Sequence, residues 1–104
     1  MSNTDVADFA KYTIDNIKRA TLANAYTITN RFGDGGYDFE EYVKSMINYL
    51  SEQLQGGLLS YETSYKLLSI SYDALKYYTS DFKYSKKCII SNFIINLWMV
   101  FNGN

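Results

Sequence analysis

Apolar residues recur every three or four positions along most of the chain, and no proline interrupts them. That spacing matches a helical turn and not the alternation of a half-buried strand, so the fold is predicted to be all-α. Val6, Phe9, Ala10, Ile14, Ile17 and Ala20 line one face of a first helix, expected from about residue 4 to the mid-twenties. Thr4 is its expected cap, with Asp5 and Asp8 near its positive end. The AYTITNRF that follows is richer in β-branched residues and marks a place for fraying or a kink. A second helix carries Phe39, Val43, Met46, Ile47, Leu50 and Leu54 at core spacing and ends at Gly56-Gly57.

A third helix opens at Ser60, and Tyr61, Tyr65, Leu68, Tyr72 and Leu75 follow at steps of four and three, a regular core seam ending near TSD at 79–81. Ser80 or Asp81 is placed to cap the last helix, whose stripe holds Phe82, Ile89, Phe93, Leu97 and Val100. Ile90, Ile94, Trp98 and Phe101 widen that stripe, which predicts the central and most covered helix. Strand structure in CII or FII is the minority alternative. The architecture expected is a small bundle of four to five helices with short loops, one domain over 1–104.

Composition narrows the function by exclusion. The chain has no histidine, which removes the commonest general base near neutral pH and the commonest zinc ligand. Its single cysteine, Cys88, excludes an internal disulfide and a multi-cysteine metal site; beside the apolar run it reads as a buried, inert thiol. The net charge of −1 argues against an open nucleic-acid binder. The run CIISNFIINLWMVF at 88–101 carries Ser91, Asn92 and Asn96 and falls short of the roughly 20 residues of a membrane span. MSNTDVADFA lacks the basic start and apolar centre of a signal peptide, so a cytoplasmic protein is expected.

The stretch RFGDGGYDFEEY at 31–42 invites three readings. As a calcium loop its acids, at 34, 38, 40 and 41, are in the wrong register. As a phosphate cradle it lacks a preceding strand and a following lysine, and its own aspartates repel the ligand. As a helix start it fits well: Asp38 stands three residues before Glu41 as in a capping box, and Tyr37 and Tyr42 occupy the positions of a hydrophobic staple. Adjacent Glu40 and Glu41 point about 100° apart on a helix and do not by themselves form a carboxylate pair. No catalytic residue, metal ligand or cofactor site is expected.

Charge and aromatic content are more informative. Between 32 and 62 the acids Asp34, Asp38, Glu40, Glu41, Glu52 and Glu62 face one base, Lys44, whereas Lys76, Lys83, Lys86 and Lys87 gather later. A solvated helix face is one explanation, and a negative docking surface for a basic partner is the other. Eleven tyrosines are too many for all to be buried, and exposed tyrosine is a common interface anchor; an AT-rich gene would enrich tyrosine too.

The acidic segment YDFEEYVKSMINYL, with the Tyr77-Tyr78 pair, resembles the small bacterial immunity proteins that neutralise nuclease bacteriocins or the toxin tips of contact-dependent inhibition systems. In the colicin-nuclease immunity family an acidic helix and a nearby tyrosine pair grip a basic toxin; the proline that follows the pair there is absent here. The resemblance implies an all-α, non-catalytic antitoxin that occludes the active or substrate-binding surface of a basic RNase or DNase domain. It implies contacts through Asp34, Tyr37, Asp38, Glu40, Glu41, Tyr77 and Tyr78. The free chain is expected to be a monomer that forms a heterodimer with the toxin and binds neither nucleic acid nor membrane. Two rival readings are a phage or mobile-element inhibitor of a host nuclease and a homo-oligomeric structural module. An enzyme is the outsider.

Overall fold

The computed structural model describes residues 3–32, 37–80 and 85–103. Five helices make up most of them: α1 (Asn3–Ile17), α2 (Leu22–Thr29), α3 (Phe39–Gln55), α4 (Tyr61–Thr79) and α5 (Lys86–Asn102). The all-α bundle expected from the apolar spacing is the fold observed. Helix α3 packs between α1 and α4, α4 also packs on α5, and α5 reaches α2 and α1. Asp34, Asp81 and Phe82 lie outside the described residues.

The expected first helix is two. Thr4 lies inside α1 and is not its cap, and the helical hydrogen bonds stop at Ile17. Thr21 then begins α2, its hydroxyl accepting from Asn24 N at 3.2 Å. Ala20 O accepts from the distant Trp98 Nε1 at 2.7 Å, and Ile17 O, which accepts locally from Ala20 N at 3.2 Å, takes a second bond from the Asn102 amide at 3.2 Å. The C-terminal end of α5 thereby helps to satisfy the groups that a broken helix leaves open.

Local signals hold at most other ends. Asp38 caps α3, Ser60 caps α4, and the Gly56-Gly57 pair closes α3. Gly57 adopts φ +72°, and Leu58 N donates to Gln53 O at 3.0 Å while Gly57 N donates to Leu54 O at 3.1 Å. This is the paired closure of a left-handed helix end, for which glycine is the residue of lowest strain. Helix α5, by contrast, is capped by Ser85 and not by Ser80 or Asp81.

The core is strongly aromatic. Phe9, Phe32, Phe39, Tyr42 and Phe93 meet with ring centroids between 4.8 and 6.2 Å apart, joining α1, the α2–α3 connection, α3 and α5. Tyr42 is wholly buried, so its hydroxyl needs a partner: it donates to Thr13 Oγ1 at 2.7 Å, and Thr13 donates to Phe9 O at 2.8 Å. Two turns further along the same flank of α3, Tyr49 donates to the Asp15 carboxylate at 2.9 Å, a second tie to α1.

Both phenols are held in the neutral form. Tyr42 is pushed up by burial, partly offset by the Thr13 bond. Tyr49 is pushed up to about 12 by burial, then by its bond to Asp15 and the charges of Asp15 and Glu52. In the unfolded chain both ionise near pH 10. Above that pH the unfolded state releases protons that the folded state retains, so the stabilisation is complete below about pH 10 and is lost as pH rises towards 12. The urea midpoint is expected to fall steadily over that interval, and Tyr49→Phe should flatten part of the decline. An unchanged midpoint between pH 9 and 11.5 would contradict this.

The seam expected on α4 is rotated. Tyr61, Tyr65 and Tyr72 are 74%, 65% and 57% exposed, whereas Ser64, Leu67, Ser71 and Ala74 are buried. The small side chains at 64, 71 and 74 let the α4 backbone approach its neighbours, which three tyrosines would hold away. Leu68 and Leu75 of the expected seam do pack against the core from its edge.

Helix α5 packs on α4, α2 and α1, in keeping with its broad apolar surface, but is not covered all round: Met99 is 49% exposed. Cys88, expected inside, is exposed on the first turn of α5. It stands one position before the buried Ile89-Ile90 pair, on the polar side of the helix. No described helix is long and apolar enough to cross a membrane.

Candidate partner-binding surface

The start of α3 organises the site. The backbones of Phe32 and Tyr37 meet in an isolated bridge, which draws together the two ends of the connection between α2 and α3. Tyr37 then packs on Phe9 at 4.6 Å, and Tyr42 packs on the same ring at 5.3 Å. The two staple positions thus meet through Phe9 and fix the angle at which the chain enters the helix. Asp38 follows as the cap, one carboxylate oxygen accepting from Glu40 N at 2.9 Å and Glu41 N at 3.3 Å. Its negative charge sits at the positive end of α3, where the helix dipole favours it.

Tyr78 reaches this point from the last turn of α4 and rests on Phe39, with centroids 4.8 Å apart. Tyr37, Asp38, Glu40 and Tyr78 line an open depression of about 480 Å³, over Phe32 and Phe39. The proximity has an electrostatic signature: the Tyr78 phenol is pushed up by burial and then by the charges of Asp38 and Glu40. Lys86, from the start of α5, closes one side. Its ammonium lies 4.4 Å from the centre of the Tyr78 ring and donates to the Tyr78 carbonyl. Glu40 also faces Lys44 at 3.9 Å, a partly exposed pair one turn apart that contributes only a few tenths of a kcal/mol.

Four of the seven residues singled out in the sequence therefore share one site. Glu41 does not: it is exposed on the outer stripe of α3. Tyr77 is turned about 100° from Tyr78 on α4 and does not line the depression. Asp34 lies outside the described residues. Sequence reasoning missed Lys86 as a wall of the site. It also missed the exposed tyrosines of α4, which the small residues at 64, 71 and 74 signal by offering a better packing face.

A second groove, of about 360 Å³ between α1 and α2, is lined by Arg19 and Arg31 with Asn16 and Asn24. Its charge suits an acidic ligand and not a basic one. Among the described residues no group of three or more His, Cys, Asp or Glu side chains is placed to hold a metal ion. No family model, no curated protein and no solved structure matches the chain.

Proposed function

We propose that the chain is an immunity protein that binds a basic nuclease toxin in the cytoplasm and blocks its active or substrate-binding surface. The observation that carries this reading is the meeting of Asp38 and Glu40 with Tyr37 and Tyr78 around one open depression on a rigid aromatic floor. The two carboxylates stand in for substrate phosphates and attract the lysines or arginines that a nuclease uses to hold nucleic acid. The two tyrosines provide flat rings already braced by Phe9 and Phe39, so little side-chain entropy is lost when a partner covers them. Binding alone is sufficient for this role, and no turnover is required.

The test is co-expression with the toxin domain that the reading expects the neighbouring upstream gene to encode. Wild-type chain should restore growth of cells arrested by that domain, and a chain carrying Asp38→Asn with Glu40→Lys should fail at equal abundance. Persistent arrest in the presence of wild-type chain, or equal protection by the double variant, would overturn the reading.

A further inference from the structure

Helix α4 presents a second surface, independent of the acidic depression. At 100° per residue, Tyr61, Tyr65 and Tyr72 fall within about 40° of one another. All three are more than half exposed, and Tyr61 and Tyr65 stack at 6.5 Å. Glu62, Lys66 and Asp73 form the adjoining flank, with Ser69 and Lys76 between, and every one of these is exposed. The stripe carries two acids and two bases, so it offers no net attraction to a basic or an acidic protein.

Its charges are arranged symmetrically in sign. Glu62 and Lys76 lie seven residues either side of Ser69, and Lys66 and Asp73 lie three and four residues either side. We propose that α4 is a self-association surface, on which a second copy of this chain docks antiparallel about a two-fold axis at Ser69. That arrangement sets Glu62 against the partner's Lys76 and Lys66 against the partner's Asp73, each pair occurring twice by symmetry. It also lays tyrosine flank on tyrosine flank, because a two-fold axis across antiparallel helices brings like flanks together. Parallel docking places like charges at the same level and is disfavoured. Ser69, small and exposed, allows close approach at the centre.

Area is consistent with a modest dimer. A tyrosine buries about 150–250 Å², so these three leave roughly 300–500 Å² open per copy, about half of what each partner contributes to a standard interface. The charged flank supplies more. Among the described residues, the ion pair on this side of α4 is intrahelical, Glu62–Lys66 at 3.2 Å, exposed and weak. Tyr78 lies about 180° round the helix from Ser69, so the dimer leaves both acidic depressions open. The proposal departs from the monomeric free chain expected from the sequence, and it does not rest on the toxin-binding reading.

Sedimentation equilibrium of the full chain tests it. The expected result is a concentration-dependent equilibrium between the 12.0 kDa chain and twice that mass. Tyr65→Glu with Tyr72→Glu should weaken association at least about 100-fold with helicity unchanged. Lys76→Glu alone should weaken it about tenfold, and adding Glu62→Lys should restore it, since the exchanged charges meet again across the axis. A single-chain mass up to about 1 mM overturns the proposal. So does a dimer indifferent to the tyrosine changes, or a charge exchange that fails to restore association. A chain that stays monomeric and instead binds a toxin through Tyr65 assigns the stripe to another occupant and overturns it equally.

Discussion

Phe39→Ala is expected to destabilise the folded chain by about 3–5 kcal/mol, the range for emptying a buried phenylalanine site. Phe39 is 1% exposed and meets Phe32 and Phe93 edge-on at 5.2 and 5.5 Å, with Tyr78 at 4.8 Å. These contacts come from the α2–α3 connection, α5 and α4, so no single neighbour can move in without giving up its own packing. For a domain of this size the loss is a large share of a total near 5–15 kcal/mol and should lower the melting temperature by roughly 10–30 °C. Circular dichroism at 222 nm during heating measures it. A decrease of only a few degrees would mean that the aromatic cluster is more adaptable than its geometry indicates. Because Phe39 is also the floor beneath Tyr78, the same change should loosen the depression.

Glu40→Lys is expected to weaken toxin binding by about 30- to 1,000-fold, the consequence of removing one partner from a desolvated charge pair. The substitution also places a cation at the positive end of α3 and opposes the existing Lys44, which costs the free chain about 0.3–1 kcal/mol. Unfolding measurements on the free chain separate that cost from the loss of binding. Glu52→Lys is the control: it makes the same charge change on the same helix, about 18 Å away. It should slow association slightly and leave affinity within about threefold. Asp38→Asn, which keeps a capping acceptor and removes the charge, should cost about tenfold. Equal effects of Glu40→Lys and Glu52→Lys, read by titration calorimetry, would mean that net charge and not this depression governs capture.

The parts of the molecule legible in the sequence are those decided locally. Asp38, Ser60 and the Gly56-Gly57 pair mark helix ends through hydrogen bonds that reach three or four residues, so short motifs reveal them. The buried face of α3, with Phe39, Val43, Met46 and Leu50, follows from spacing because its polar face is clearly separate. The break after Ile17 was not legible. Ala20 O is answered by Trp98, 78 residues away, and Ile17 O takes a second bond from Asn102, 85 residues away, and no local pattern encodes such partners.

The rotation of α4 was hidden for a different reason. Tyrosine scores as apolar in a periodicity count, while serine scores as polar, yet close packing selects for small size as much as for apolarity. In the site, Tyr37, Asp38 and Glu40 were adjacent in sequence and legible as a unit. The choice of Tyr78 over Tyr77, and of Glu40 over Glu41, depends on helix rotation, which Tyr78 settles by resting on Phe39.

The most direct measurement is affinity capture from the source cell on two columns, one bearing the wild-type chain and the other the Glu40→Lys chain, with retained proteins identified and assayed for nuclease activity. A basic nuclease domain held by the wild-type column, released in active form and missing from the variant column, is the result predicted. Retention of such a domain equally by both columns, or of none by either, would contradict the proposal that this protein acts by covering a toxin through the depression at the start of α3.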